Sequence, residues 1–240
     1  MNTSISTKGA SILGISIVLG AIALGSFFTN GIVAFKEYDR TVVVKGLAER
    51  EVPANIVIWP VSYSVAENDI ASLYTKMEGN AQKITQYLLD HGLSKEEITN
   101  NVPTVTDKLA QQYSNNGAVD YRFTASQTIT VYSEKVEVVR KLMSSVSELG
   151  KMGIVLAGGG YDKKPDYVFT GLNDLKPEMI EEATKKARQV AEKFAADSES
   201  RLGTIKRASQ GQFSIRNRDS STAHIKQVRV VSTIEYYLVN

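Results

Sequence analysis

The chain has 240 residues, of which 42% are hydrophobic and 22% charged, and its formal net charge is +2. This is the balance of an ordinary globular domain, with one core or two small ones sharing a sheet, and the low charge argues against a dedicated nucleic-acid binder. With no cysteine in the sequence, thiolate catalysis, structural disulfides and cysteine-ligated zinc are excluded together.

The first element is apolar. Between Lys8 and Lys36, the run from Gly9 to Phe35 carries no charge, and it is long enough to cross a bilayer, which needs ~20 apolar residues. Gly14, Gly20, Gly25 and Gly31 would weaken a soluble helix but are ordinary in membrane spans. A short basic start also fits a secretory signal, with Ala21-Ile22-Ala23 as a small-x-small cleavage site. The apolar character continues past that site through Phe27, Phe28 and Ile32, which favours an uncleaved transmembrane anchor over residues 1–35. Cleavage and release remain the alternative. Basic residues flank the run on both sides, so charge alone does not fix its orientation.

A polar link, 36–40, precedes a folded region expected over 41–240. "TVVVKGLAEREV" and "ANIVIWPVSYSVA" are β-branched runs split by Pro53, and Pro60 inside the second predicts an edge position or a bulge. A helix follows: Asp69 can cap it, Ile70, Leu73, Met77, Ala81, Ile84 and Leu88 form one apolar face, and Gly92 can end it. Ser94 and Glu97 have capping-box spacing. "VPTVTDKLAQQYS" and "DYRFTASQTITVYS" are strand-like, joined by the turn signal Asn115-Asn116-Gly117.

The second half reads as a looser version of this plan. A helix is expected over 134–149, then short strands in "GIVLAGGGY" and "DYVFTGL". The stretch "EEATKKARQVAEKFAADSESRLG" has alanine at 183, 187, 191 and 195. Met179, Ile180, Val190, Phe194 and Leu202 are expected on that same side, where small residues let a helix sit close to a sheet. The mixed charges opposite read as a solvated face. "TIKRASQGQFSI" and "HIKQVRVVSTIEYYLVN" close the chain as strands. The fold class is α+β: two strand–strand–helix-type halves with helices on antiparallel or mixed sheets, plus the N-terminal transmembrane helix.

Four stretches carry a family likeness: "VVVKGLAEREVPAN", "LLDHGLSKEEITNNVPTV", "YRFTASQTITVYSEKVEVVRKLM" and "EEATKKARQVAEKFAADSESRLGTIKRASQG". Each is loose by itself, but their order, from Thr41 to Leu238, resembles the SIMPL-domain family, which includes periplasmic immunogenic proteins of bacteria. Where that family often has Pro-Asp in the first hairpin, this chain has Pro53-Ala54. The resemblance implies an oligomeric α+β domain outside the cytoplasm, with some members tied to oxidative-stress tolerance. It brings no catalytic residues with it.

The residues themselves offer no catalytic site. His91 and His224 lack second ligands at metal spacing, and no G-x-S-x-G elbow occurs. Glu96-Glu97 and Glu181-Glu182 suit helix starts better than acid–base work. Gly158, Gly159 and Gly160 before Lys163 and Lys164 lack the rest of a phosphate loop, since Pro165 and a strand follow. No cofactor or metal is expected. One asymmetry stands out: from Arg201 to Arg229 there are seven basic residues against the single acid Asp219. Arg216, Arg218, Lys226 and Arg229 are the candidate interaction surface, for a neighbouring subunit or anionic envelope lipid. The alternative is an edge hairpin kept soluble by charge. With the resemblance, the expectation is a non-enzymatic envelope protein, for which the resemblance implies self-association and a role in oxidative-stress tolerance. It would be single-pass in the bacterial inner membrane with its domain in the periplasm. The alternatives are a cleaved periplasmic form and a ligand- or polymer-binding module.

Overall fold

A computed structural model describes residues 14–22, 24–28, 40–110, 120–157 and 164–239. The expected turn at Asn115-Asn116-Gly117, the glycines 158–160 and much of the anchor over 9–35 lie outside them. Strand β1 (Thr41–Pro53), the first of the fold, pairs with β10 (Ile225–Val239), the last. Because the two ends of the chain meet in one sheet, the fold does not divide into successive halves. It divides into two units that are each discontinuous in sequence. One takes Glu49–Lys176 and Ser214–Val228; the other takes the chain through Ala48, Pro177–Phe213 and the chain from Arg229 on.

The first of these units is built on β2 (Ile56–Glu67) and β5 (Phe123–Ser133), antiparallel from Val57 opposite Ser133 to Glu67 opposite Phe123. Their alternation buries Val57, Trp59, Val61 and Tyr63 from β2 and Ala125, Ile129 and Val131 from β5. Helix α1 (Ile70–Asp90) packs Leu73, Met77, Ile84 and Leu88 into the same core. It begins as the sequence predicts, with Asp69 Oδ2 accepting from the Ser72 amide at 2.8 Å. It ends before Gly92, whose φ of +95° is the left-handed conformation that glycine adopts without a Cβ penalty. The capping box of Ser94 and Glu97 encloses a short 3-10 turn, Lys95–Glu97.

Each central strand carries two short partners on its outer edge. β3 (Ile98–Asn100) and β4 (Thr104–Asp107) pair with β5. β6 (Val155–Leu156) and β7 (Asp166–Val168) pair with β2. This arrangement corrects the reading of Pro60 as an edge or bulge residue. β2 is central, and its register with β5 runs through Pro60 opposite Thr130. On the other side β7 ends its pairing at Ile58 and β6 begins at Tyr63, so Pro60 falls in the interval between them, where the missing N–H costs no ladder bond. The helix expected over 134–149 is two pieces, α2 (Val136–Ser144) and α3 (Ser147–Lys151). At the break, the Ser145 hydroxyl meets the buried Tyr87 hydroxyl at 2.8 Å.

The other unit holds β8 (Arg201–Gln210) and parts of β1 and β10, in the order β1, β10, β8, while β9 (Ser214–Asn217), which pairs β10, falls in the first unit. β8 and β10 are antiparallel, from Gln210 opposite Ser232 to Arg201 opposite Val239. Helix α4 (Leu172–Asp197) buries Met179, Ala183, Ala187, Ala191 and Ala195. Ala187 and Ala191 pack with Val44, Ile234 and Tyr236. The approach is close at Gly46 of β1. A Cβ there would stand 1.8 Å from the Ala183 carbonyl oxygen and 2.6 Å from the Ala187 amide nitrogen. Helix backbone and strand backbone touch directly, which only glycine on one side and alanine on the other permit. The contact line follows the four-residue alanine ladder. Val190 and Phe194, expected on this buried side, fall on the flank instead, 38% and 55% exposed.

Two glycine substitutions separate this contact from ordinary backbone effects. Gly46→Ala forces helix and strand apart and is expected to cost ~3 kcal/mol or more, at the upper end of overpacking. Gly79→Ala, in α1, adds a methyl with nothing within 4 Å and is expected to stabilise by about 0.5–1 kcal/mol. Denaturant melts of the two variants measure both; equal and small changes would contradict the contact.

Candidate functional site

The four basic residues singled out by the sequence do not form one exposed strip. Arg216 lies in β9 and is exposed. Arg218 follows the strand and is ion-paired twice, to Glu51 at 3.2 Å and to Asp219 at 3.1 Å. Asp219 organises the turn, accepting from the amides of Ser221 at 2.8 Å and Thr222 at 2.7 Å. Bonds from the Thr222 hydroxyl and Arg218 hold its carboxyl well below the usual carboxylate range. Lys226 differs most from expectation. It is 6% exposed, on the inward side of β10, with Nζ donating to Asn217 Oδ1 at 2.5 Å. Burial pushes its ammonium pKa down, opposed by the charge of Asp166. Arg229 is half-buried and belongs to the other unit. Charge counted along the chain missed the compensation: Glu51 comes from β1, and Lys206 of β8 meets Glu235 of β10 at 3.4 Å.

The titratable groups considered for chemistry have structural partners. His91 Nδ1–H donates to the Tyr87 carbonyl at 2.7 Å, and its ring lies 4.3 Å from that of Tyr87. His224 packs edge-on to Tyr167 at 6.0 Å, and burial lowers its pKa. Glu97 accepts from Ser133 Oγ at 2.5 Å and pairs with Lys135 at 3.0 Å. Burial pushes Glu97 up, but these bonds outweigh it and hold the carboxyl below its ordinary value. Tyr63, buried, donates to the Met77 carbonyl at 2.9 Å, and its phenol is pushed up to about 12 by burial. Among the described residues no three His, Asp or Glu side chains stand together in a metal-holding group.

Sequence reasoning missed one concave feature. A groove of about 760 Å³ runs between β1 at Lys45, Gly46 and Leu47 and the flank of α4 that carries Lys186, Val190 and Lys193. Val190, expected in the core, lies part-exposed on its wall, while Lys193, expected on the solvated face, is exposed.

The fold and these surfaces define a two-unit α+β protein of antiparallel sheets. The SIMPL family model, described as a protein of unknown function, matches residues 42–233, and the chain belongs to that family. No curated protein matches the sequence.

Burial of Lys226 has a direct consequence. Lys226→Glu places an unpaired carboxylate in the buried position of the ammonium, within reach of the charge of the exposed Asp166, and is expected to cost about 3 kcal/mol or more. Arg216→Glu, on the exposed strand, is expected to stay within about 0.5 kcal/mol. Thermal and urea melts decide; equal effects would mean that Lys226 reaches solvent.

Proposed function

We propose that the chain is a non-enzymatic, membrane-tethered protein of the bacterial envelope whose folded part sits in the periplasm and self-associates. The observation that carries this is the uncharged run from Gly9 to Phe35, which ends a few residues before β1. Its described part, residues 14–22 and 24–28, is helical, and Ile15, Ile17, Leu19, Ile22, Phe27 and Phe28 are all exposed. An apolar helix without a protein surface over it matches lipid as solvent. Among the described residues no helix is long and apolar enough to cross a membrane, so the reading rests on the full run in the sequence. The periplasmic placement, the self-association and the tie to oxidative-stress tolerance rest on the family resemblance. Arg216, exposed on β9, is proposed to contribute to association or to contact with anionic headgroups, with Arg218 beside it already paired to Glu51 and Asp219. Exposed charges act over about 8 Å at physiological ionic strength, so that contribution is salt-sensitive.

Intact mass of the protein extracted from membranes tests the tether. The expected result is the full uncleaved chain in the alkali-resistant membrane fraction. A mature chain starting near Leu24 in the soluble fraction would contradict it. Sedimentation of the extracted protein across a salt series tests association: assemblies are expected, shrinking with salt or with Arg216→Glu and Arg218→Glu together.

A further inference from the structure

The sheet built on β2 and β5 has two faces of opposite character. α1 packs on the one that carries Trp59, Val61, Tyr63, Ile129 and Val131. Alternate residues point to the other face. There β5 places Thr124, Ser126, Thr128 and Thr130 in line. The register sets further hydroxyls beside them. Thr106 lies opposite Thr124, Thr104 opposite Ser126 and Thr99 opposite Thr130 on one side. Ser64 lies opposite Ser126, and Ser62 opposite Thr128, on the other. The hydroxyls form a lattice with steps of about 4.8 Å across the strands and about 6.7 Å along them. Thr99, Thr104 and Ser126 are exposed, and Tyr132, next in line on β5, is 53% exposed.

Hydroxyl pairs across strands are ordinary on a solvated sheet, so they identify no ligand by themselves. The lack of charge does the selecting. In a chain with 22% charged residues, a face kept for water alone would carry Lys, Glu or Arg, the side chains that most avoid burial. These rows hold none. Ala66, Pro60 and Val155 extend them, and the nearest charge, Asp166, stands opposite Ile58 at the far edge. A charged polymer finds no counter-charge here, and an apolar peptide finds no apolar strip. Two copies of this face pressed together would bury the hydroxyls of both without dedicated partners, which is costly for each bond left unmade. A neutral glycan fits. Its hydroxyls, like those of Ser and Thr, both donate and accept, so either side can turn to match the other. Ser62 and Thr128 meet at 2.8 Å, and both oxygens keep capacity for a third group. Tyr132 adds an exposed ring whose apolar face suits the C–H side of a sugar while its phenol stays wet.

We propose that this face of β4, β5 and β2 binds an extended neutral glycan chain, with the Ser and Thr hydroxyls bonding to sugar hydroxyls and Tyr132 stacking on a sugar ring. The proposal goes beyond the tether and self-association and depends on neither, since every residue in it belongs to one unit.

The test titrates the full chain, in a detergent without a sugar headgroup, into fluorescent cellohexaose and chitohexaose, both neutral. The controls are a galacturonate hexamer, which is anionic, and fully deacetylated chitohexaose at pH 6, which is cationic. Anisotropy is expected to rise with at least one neutral hexasaccharide and with neither control, and hydrogen exchange is expected to slow at residues 99–106 and 124–132. Thr104→Val with Ser126→Ala, and Tyr132→Ala alone, are each expected to weaken binding roughly fivefold or more with an unchanged circular dichroism spectrum. Tyr132→Phe keeps the ring and is expected to bind as the native protein does. The proposal is overturned if neither neutral sugar binds, which leaves a solvated face only. Equal binding of a charged hexamer, protection confined to other segments, or native affinity in the hydroxyl and Tyr132→Ala variants would each overturn it as well. So would smaller assemblies in those variants with no sugar binding by the native protein, which would make the occupant a second copy.

Discussion

One contact sets the architecture of the sheet that joins the chain ends: the backbone of α4 lies against the backbone of β1 at Gly46. The Ala183 carbonyl and Ala187 amide occupy the space that any side chain at position 46 would need. Much else follows from this distance. The contact line on α4 must be alanine, because larger residues would lift the helix from the strand. The bulkier Val190 and Phe194 must then lie on the flank. A helix seated over an edge strand also leaves that edge open beside it, which is how a groove arises next to Lys45 and Leu47. The outer face of α4 needs only solubility, and it has it through the spaced pairs Glu181–Lys185, Glu182–Lys186 and Arg188–Glu192. Such exposed pairs add little to stability.

The basic residues near the C-terminus show the opposite relation between sequence and surface. Along the chain they accumulate without acids, but β1 and the later part of β10 supply Glu51 and Glu235 from a distance. The turn after β9 is fixed by Asp219, whose carboxylate serves Arg218 and the Thr222 amide together. Lys226 is spent inside, on Asn217. What remains at the surface is chiefly Arg216.

Local signals were readable and long-range ones were not. Asp69, the apolar spacing of α1 and Gly92 specify a helix from within their own segment, and the structure follows them at both ends. The α+β class was equally legible from the order of strands and helices, while the choice between antiparallel and mixed sheets was left open. Pro60 misled because its tolerance depends on where β6 and β7 happen to stop pairing, a fact about other segments. β3 was too short to show an alternation. The two-unit division was invisible because it depends on β1 meeting β10 across the whole chain. For Val190 the helical period was correct. The error lay in placing the buried line where the large residues are, when backbone proximity demanded the small ones. For the candidate surface, residue charge was visible, but neither burial nor compensation was.

The functional account rests on where the folded part lives. An apolar run proposed to anchor the chain, followed by a cysteine-free α+β fold of the SIMPL family, is proposed to present its sheets outside the cytoplasm. Membrane topology is therefore the most direct measurement. Alkaline phosphatase, which is active only after export, and a green fluorescent protein, which fluoresces in the cytoplasm but not after export through the general pathway, can each be fused after Asn240. The account predicts an active phosphatase fusion and a dark fluorescent one. A bright fluorescent fusion with an inactive phosphatase would place the domain in the cytoplasm and contradict it.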